Sequence, residues 1–416
     1  MNKTLVAGLL GGVMLHLVAV PGAQADFAAA LRSYGEGDYA SAYREFKNDG
    51  SPEAQFNLGL MYFLGYGVRP DHREAAAWYR KAAERGFVNA QYALAVLYSN
   101  GDGVEHSQKD AYRWYKSAAE QGHHLAEYNT GLMYDRGEGV AQDRPEAAKW
   151  YRKAAEHGVV QAQYNLGYLY DQGDGITRDR KEALHWYRKA AERGYAAAQF
   201  NLSLLYDRGG EVKPDRQEAI RWCRKAAAQG FPPALFNLGF LYDKGLGVAQ
   251  DKKEAASYYR KAAAKGYDPA LINLGLLYDR GEGVAKDPKE ALKLFRRAAD
   301  KGFAAAQYNL GLMYEFGDGV PEDLKEALTW YRKASEQGDT DGQYALGEFY
   351  FEGKGVAKDL SEAARWFLKA AELGLAKAQL KIGLMYDKGE GVKQDPYEAA
   401  KWYRKAAEAH MKGHRQ

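Results

Sequence analysis

The feature that most constrains the fold is a period of 36 residues that runs along the chain without an insertion or a deletion. Stepping by 36 from Tyr62 reaches a tyrosine at all ten positions, the last of which is Tyr386. A fixed period of this length is typical of arrays in which each unit packs only on its neighbours. The register therefore predicts ten tandem repeats over residues 51–410, which we number 1 to 10.

Each repeat has the pattern of two helices joined by a turn. In repeat 4, Leu166 and Tyr170 fall on one helical face, and Gly173 supplies a residue that can end the helix in the left-handed conformation. Asp179 followed by Glu182 then fits a capping box at the start of a second helix. The sequence predicts an all-α fold of tandem 36-residue helix-turn-helix repeats.

The use of tryptophan supports this register, because every tryptophan of the chain occupies the same position of the repeat. A residue type that is confined to one position of the repeat is expected to pack the joint between neighbouring repeats. The eight residues are Trp78, Trp114, Trp150, Trp186, Trp222, Trp330, Trp366 and Trp402.

The N-terminal segment differs in composition from the repeats. Lys3 precedes an apolar stretch over residues 5–20, and the small residues Ala23 and Ala25 follow at the positions that a signal peptidase recognises. We expect residues 1–25 to be a signal peptide that is cleaved after Ala25, which places the mature chain in the periplasm or outside the cell. The apolar stretch is shorter than the roughly 20 residues that span a bilayer. No integral membrane segment is expected in the mature chain.

Residues 26–50 have part of the repeat pattern. Gly50 is in register with Gly86, and Tyr43 with Tyr79, but the Gly-x-Gly-Val turn is missing. Terminal units of repeat arrays need a different outer face. We interpret residues 26–50 as an N-terminal capping helical half-repeat and residues 411–416 as a C-terminal tail.

The repeat motif resembles the SEL-one-like repeat (SLR) family, a relative of the tetratricopeptide repeat. The shared motif is Ala-x-x-x-Leu-Gly-x-x-Tyr, Gly-x-Gly-Val, Asp-x-x-Glu-Ala, Trp-Tyr-Arg-Lys-Ala-Ala-Glu and a closing Gly, which residues 162–194 show almost whole. The resemblance covers residues 27–410. It implies a right-handed α/α superhelical solenoid that acts as a scaffold or adaptor, with bacterial members that are often exported. Repeat 5 departs from the motif at Ser203, Glu211 and Cys223, so we expect local irregularity there.

The composition and the motifs argue against several classes of function. The net charge of +3, from 58 basic and 55 acidic side chains, gives no long-range field for a nucleic acid. No serine begins a Ser-x-x-Lys motif, and no Gly-x-Ser-x-Gly or phosphate-binding Gly-x-x-x-x-Gly-Lys motif is present. The sequence predicts that the chain is not an enzyme and needs no cofactor.

Histidine and cysteine offer little further chemistry. His123 and His124 are adjacent, with His157 near the end of the same repeat, and adjacent side chains point in different directions. We therefore predict no metal site. Cys223 is the only cysteine and replaces a core tyrosine, which favours burial as a small apolar residue. A cysteine-rich branch of the family is associated with β-lactams, but it depends on a disulfide in each repeat, so that association does not transfer.

One row on the first helix is not explained by the core pattern. Asparagine is a mediocre helix former, yet six successive repeats carry it at one position. The row is Asn129, Asn165, Asn201, Asn237, Asn273 and Asn309, and the position three residues later is apolar, with Tyr168 and Phe240 as its aromatic members. Either the amides bond to groups at the joint between repeats, or they bind the backbone of an extended peptide. Any groove is expected to be centred on repeats 3–8.

These observations favour an exported, non-catalytic scaffold that binds a protein or peptide partner along the concave face. One alternative is a cell-envelope polysaccharide or peptidoglycan binder, for which exposed Tyr168 and Phe240 would stack on sugars. A β-lactamase-like hydrolase is a further alternative, and a nitrocefin assay tests it. The identity of the partner and the oligomeric state are not predicted.

Overall fold

The structure is a computed structural model that describes residues 25–413. Within that range it contains 22 helices and no strand, as the sequence predicts. No helix between residues 25 and 413 is both long and apolar enough to cross a membrane. The signal peptide predicted for residues 1–25 lies outside the described residues except for Ala25, and so does the tail beyond residue 413.

The chain divides into two compact units, one up to residue 215 and one from residue 216 onward, so the boundary in the sequence falls inside repeat 5. The first unit begins with the helices Ala25–Gly35 and Tyr39–Asp49, which precede repeat 1. We name the two helices of each repeat helix A and helix B. In the first unit, helix A spans Pro52–Leu64, Val88–Asn100, His124–Arg136, Val160–Gln172 and Ala196–Arg208 in repeats 1 to 5. Helix B spans His72–Glu84, Gln108–Glu120, Arg144–Glu156 and Arg180–Glu192 in repeats 1 to 4.

The second unit begins with helix B of repeat 5, which is Arg216–Ala228. Helix A spans Pro232–Lys244, Pro269–Arg280, Ala304–Phe316, Thr340–Glu352 and Ala376–Lys388 in repeats 6 to 10. Helix B spans Lys252–Ala264, Pro288–Ala299, Leu324–Glu336, Leu360–Glu372 and Pro396–Gly413. Inside each unit, every helix packs against the helix before it and the helix after it. This sequential packing is what a tandem array requires.

The helix ends follow the predicted signals with one difference. Gly173 ends helix A of repeat 4 at φ 71°, and Asp179 accepts from the backbone amides of Lys181 and Glu182 at 2.9 and 3.0 Å. The second half of the predicted capping box is wrong, because Glu182 accepts from the indole Nε1 of Trp186 at 3.1 Å. The backbone amide of Asp179 donates instead to the carbonyl of Tyr170 at 3.0 Å.

The tryptophans pack the joints between repeats, as predicted. Trp186 of repeat 4 is 3% exposed and lies in a cluster with Ala147 and Tyr151 from helix B of repeat 3. The other tryptophans of the series are buried as well, except for Trp78 in repeat 1, which is half-buried. Clusters that include buried residues of the preceding repeat likewise contain Trp114, Trp150, Trp366 and Trp402.

The structural features of repeat 5 agree with its sequence departures. Gly209 ends helix A with ψ −149°, whereas the equivalent Gly173 has ψ 31°. Arg180 donates its Nη1 to the carbonyl of Gly209 at 3.1 Å, and its backbone amide donates to the carboxylate of Glu211 at 3.2 Å. Cys223 is buried, and its thiol is 3.5 Å from the carbonyl of Ala234, which confirms the prediction for this residue.

Candidate functional site

The asparagine row lies on helix A, where each amide is half-buried. Asn201 donates its Nδ2 to the hydroxyl of Tyr187 at 3.1 Å. Tyr187 belongs to helix B of the preceding repeat and is fully buried, so its hydroxyl has no access to water. The asparagine therefore satisfies a buried polar group at the joint between two repeats, which is costly to leave unpaired.

The neighbouring members of the row have related surroundings. Asn165 lies within reach of the hydroxyls of Tyr128 and Tyr151. Burial raises the pKa of Tyr92 to about 12, and the hydrogen bond with Asn129 opposes that rise. These tyrosines belong to the two helices that precede the asparagine in the chain, so the amides again serve the inter-repeat joint.

The asparagines have other partners where the tyrosine of the preceding helix B is replaced by another residue. Cys223 takes the place of the tyrosine opposite Asn237, whose Nδ2 lies 3.5 Å from the thiol. Phe295 takes that place opposite Asn309, which donates instead to the carbonyl of Ala305 in its own helix at 2.7 Å. These contacts favour the structural interpretation of the asparagines. They leave part of each amide at the surface, because none of the six side chains is fully buried.

This difference predicts unequal costs for two asparagine substitutions. Asn201→Ala should lower the free energy of unfolding by about 1–2 kcal/mol, because it leaves the buried hydroxyl of Tyr187 unpaired. Asn309→Ala should be close to neutral, since alanine is the better helix former and only a bond within one helix is lost. Urea unfolding followed by circular dichroism measures both values, and equal losses would contradict the assigned role of Asn201.

The apolar row beside the asparagines is the part of this face that stays open to solvent. Tyr168 is 45% exposed and Phe240 is 38% exposed. The other members of this row in repeats 3–8 are half-buried, namely Leu132, Leu204, Leu276 and Leu312. In repeats 1 and 2 the same position is buried, at Leu60 and Val96. The exposed apolar surface therefore begins at repeat 3.

A surface pocket brings the two rows together in the second unit. Phe240, Asn273 and Leu276 line a cavity of about 110 Å³ between helix A of repeat 6 and helix A of repeat 7. Lys252 closes one wall, with its Nζ 2.6 Å from Asp243 Oδ1 and 2.8 Å from Glu282 Oε2. Hydrogen bonds to these two carboxylates raise the pKa of Lys252. This side of the pocket is therefore formed by a charged lysine that is paired with Asp243 and Glu282.

The face is interrupted in repeats 9 and 10. There the row positions carry Glu348 and Lys381, which form an ion pair at 2.9 Å. The Lys381 Nζ also lies 3.9 Å from the ring centroid of Phe351. A charged side chain therefore takes the place of the apolar residue in repeat 9 and of the amide in repeat 10.

Helix B carries the recurrent Arg-Lys pairs, and both residues have partners inside the array. The lysine lies over the tryptophan three residues before it, as Lys333 does over Trp330 at 3.9 Å. The arginine donates to the tyrosine of the next repeat, as Arg332 does to the hydroxyl of Tyr350 at 2.9 Å. These Arg-Lys pairs therefore contribute to the joints between repeats.

A cluster that the sequence did not predict lies in repeat 3. His124, Glu127 and His157 each offer a ligand atom, and these atoms all lie within 4.8 Å of one another. The sequence analysis singles out the two histidines but not Glu127. The available signal was its position, because the equivalent residue is a glutamine in seven other repeats and a leucine in two.

Comparison with known proteins places these features in a family. The Sel1 repeat matches ten consecutive segments of the chain, which are residues 52–87, 88–123, 124–159, 160–195, 196–231, 232–267, 268–303, 304–339, 340–375 and 376–410. A comparison with curated proteins finds no significant match.

The solved structures that are similar to this chain include two that are 35% identical to it. One is c5321, a protective antigen present in uropathogenic Escherichia coli strains that displays an SLR fold. It is 35% identical, with 98% of this chain and 87% of that chain covered at a TM-score of 0.83. The other is a Sel1 repeat protein from Oxalobacter formigenes, 35% identical, with 71% of this chain and 87% of that chain covered at a TM-score of 0.59. The ten matched repeats and these structures show that the chain belongs to the Sel1 repeat family.

Proposed function

We propose that this protein is an exported scaffold that holds an extended segment of a partner protein against helix A of its central repeats. Sel1-repeat solenoids are typically protein-interaction scaffolds. The observation that supports the finer proposal is the pocket lined by Phe240, Asn273 and Leu276, in which an aromatic ring, an amide and an aliphatic side chain converge. Charged side chains surround these three residues in the pocket lining, so apolar surface lies beside polar groups that can orient a bound segment.

The chemistry of the face suits a peptide in extended conformation. An asparagine amide both donates and accepts, so the exposed edge of Asn273 can bond to a peptide group. The apolar neighbours Phe240 and Leu276 offer a place for alternate side chains, which is how extended peptides gain specificity. The proposed contact residues are those of the two rows, namely Asn129, Asn165, Tyr168, Asn201, Asn237, Phe240, Asn273 and Asn309.

Export rests on the sequence of residues 1–25 and on one comparison. The charged start, the apolar stretch and the small residues before Asp26 fit a cleaved signal peptide. The similar Escherichia coli protein is a protective antigen, which is consistent with a location beyond the cytoplasm for this chain too. We propose a non-catalytic role because the sequence offers none of the nucleophile motifs discussed above.

Peptide selection tests the proposed face. Peptides from a random displayed library are selected on the chain without residues 1–25, and their affinity is measured by fluorescence anisotropy. Phe240→Asp should lower the affinity for the selected peptides at least about tenfold, because a carboxylate then faces an apolar side chain of the peptide. The matched control is Tyr397→Asp, since Tyr397 is 80% exposed and lies in helix B of repeat 10, outside the helix A face.

The two variants can be compared when both keep the helicity of the parent chain. Loss of binding with Phe240→Asp and full binding with Tyr397→Asp supports the proposal. Equal binding by the two variants, or a failure to select any peptide, would contradict it.

A second candidate is a cell-envelope glycan binder, which the exposure of Tyr168 and Phe240 favours because aromatic rings stack on sugars. Co-sedimentation with purified peptidoglycan tests this function. Binding that is lost in a variant with Tyr168→Ala and Phe240→Ala would favour the glycan over the peptide.

A further inference from the structure

Three departures from the repeat pattern meet at one place in repeat 3. His124 is the first residue of helix A, Glu127 lies one turn later, and His157 follows the last residue of helix B. No other repeat has a histidine at either histidine position or a glutamate at the position of Glu127. The array therefore provides nine internal references against which this cluster stands out.

The reference repeats show what the position of Glu127 normally does. In repeats 2 and 4, the buried side chains of Gln91 and Gln163 donate from Nε2 to a helix B carbonyl eight residues earlier, at 3.2 and 3.1 Å. Gln91 also accepts from Gln121 at 2.8 Å, the residue that corresponds to His157. An ionised carboxylate cannot donate to the carbonyl, so Glu127 gives up the contact that its equivalents make.

Glu127 is nevertheless buried, with a side chain only 3% exposed. A buried carboxylate is costly unless its charge is compensated. Its Oε2 lies 2.9 Å from Nδ1 of His157 and 3.8 Å from Nδ1 of His124. The two imidazole rings stack with centroids 3.9 Å apart. The cluster thus places one carboxylate oxygen beside two imidazole nitrogens, a combination that a divalent cation complements.

His123, the residue before His124, is not part of this cluster. Its ring stacks on Tyr92, and its Nδ1 accepts from the backbone amide of Ala126 at 3.1 Å. His123 therefore serves as a helix cap, and its ring is held by Tyr92.

We propose that His124, Glu127 and His157 bind one Zn²⁺ ion that joins the start of helix A to the end of helix B in repeat 3. Two imidazole nitrogens and one carboxylate oxygen are a ligand set that zinc accepts with water in the fourth position. Ligand atoms around a tetrahedral zinc stand about 3.3 Å apart, and the observed 2.9 and 3.8 Å bracket that value. The histidine side chains are 53% and 45% exposed, so the ion has a path from solvent to the buried carboxylate.

Calorimetric titration of ZnCl₂ into the chain without residues 1–25 tests the site. Binding of one zinc ion is expected, together with a rise in the thermal unfolding midpoint that a chelator reverses. Glu127→Gln installs the residue that seven other repeats carry, so the variant is expected to fold. It should lower zinc affinity at least about tenfold. His157→Gln, which copies Gln121 and Gln337, should have the same effect.

The controls exclude binding elsewhere on the chain. His410 and His414 remain in every variant, so any zinc that the tail holds is the same in each titration. His185→Gln alters an exposed histidine that lies outside the cluster and should leave affinity unchanged. If the wild type binds no zinc, or if Glu127→Gln and His157→Gln bind it as tightly as the wild type, the proposal fails. In that case Glu127 and His157 form an ion pair only.

Discussion

Replacing Trp186 with alanine should lower the free energy of unfolding by about 3–5 kcal/mol. The indole is 3% exposed and packs on Ala147 and Tyr151 of the preceding repeat. The substitution leaves a cavity at a joint between two repeats, and it also removes the hydrogen bond that the indole nitrogen donates to Glu182. Urea denaturation followed by far-UV circular dichroism gives the free energy directly.

The first repeat provides a matched control for this substitution. Trp78 occupies the same repeat position but is only half-buried, so Trp78→Ala should cost clearly less than Trp186→Ala. An unchanged unfolding curve for Trp186→Ala, or equal costs for the two variants, would contradict the assignment of the tryptophans to the joints.

Gly139→Ala should lower the free energy of unfolding by more than about 2 kcal/mol. Gly139 has φ 73°, and an added Cβ would stand 2.2 Å from the backbone carbonyl oxygen of Gln108. That carbonyl belongs to the first turn of helix B in the preceding repeat, so no side-chain rotation relieves the overlap. Thermal unfolding by circular dichroism measures the loss.

Gly122 separates the two contributions to that cost. It has φ 84°, but an added Cβ would meet nothing within 4 Å. Gly122→Ala should therefore cost only the left-handed penalty, about 1–2 kcal/mol. If the two glycine variants unfold alike, the close approach of the Gly139 turn to the preceding repeat is not a source of stability.

The repeat architecture was predictable from sequence because its signals are local and are repeated ten times. Gly173 and Asp179 end and begin helices as their residue types require. The role of Glu182 was predicted wrongly, because the capping rule considers only backbone donors, whereas the buried indole of Trp186 also needs an acceptor. The spacing of four residues between them was the signal for that contact.

Features that depend on residues far apart in the chain were harder to predict. Glu127 and His157 are separated by 30 residues, and only the packing of helix A on helix B brings them together. The asparagine row was visible, but its hydrogen bond to a buried phenol, as between Asn201 and Tyr187, required the neighbouring repeat. The 36-residue register also runs through residue 215, so it gave no sign of the division into two units.

Site-specific photocrosslinking in cells tests the central claim, that the exposed part of the helix A face holds a partner. A photoreactive amino acid is placed at Tyr168 or Phe240 on the row, or at two positions away from helix A, which are Leu373 at the end of helix B in repeat 9 and Tyr397 in helix B of repeat 10. The control positions are 60% and 80% exposed, which is more than either row position, so exposure alone favours the controls. We expect a discrete crosslinked adduct from positions 168 and 240 and none from positions 373 and 397. Adducts from the control positions alone, or from all four positions equally, would contradict it.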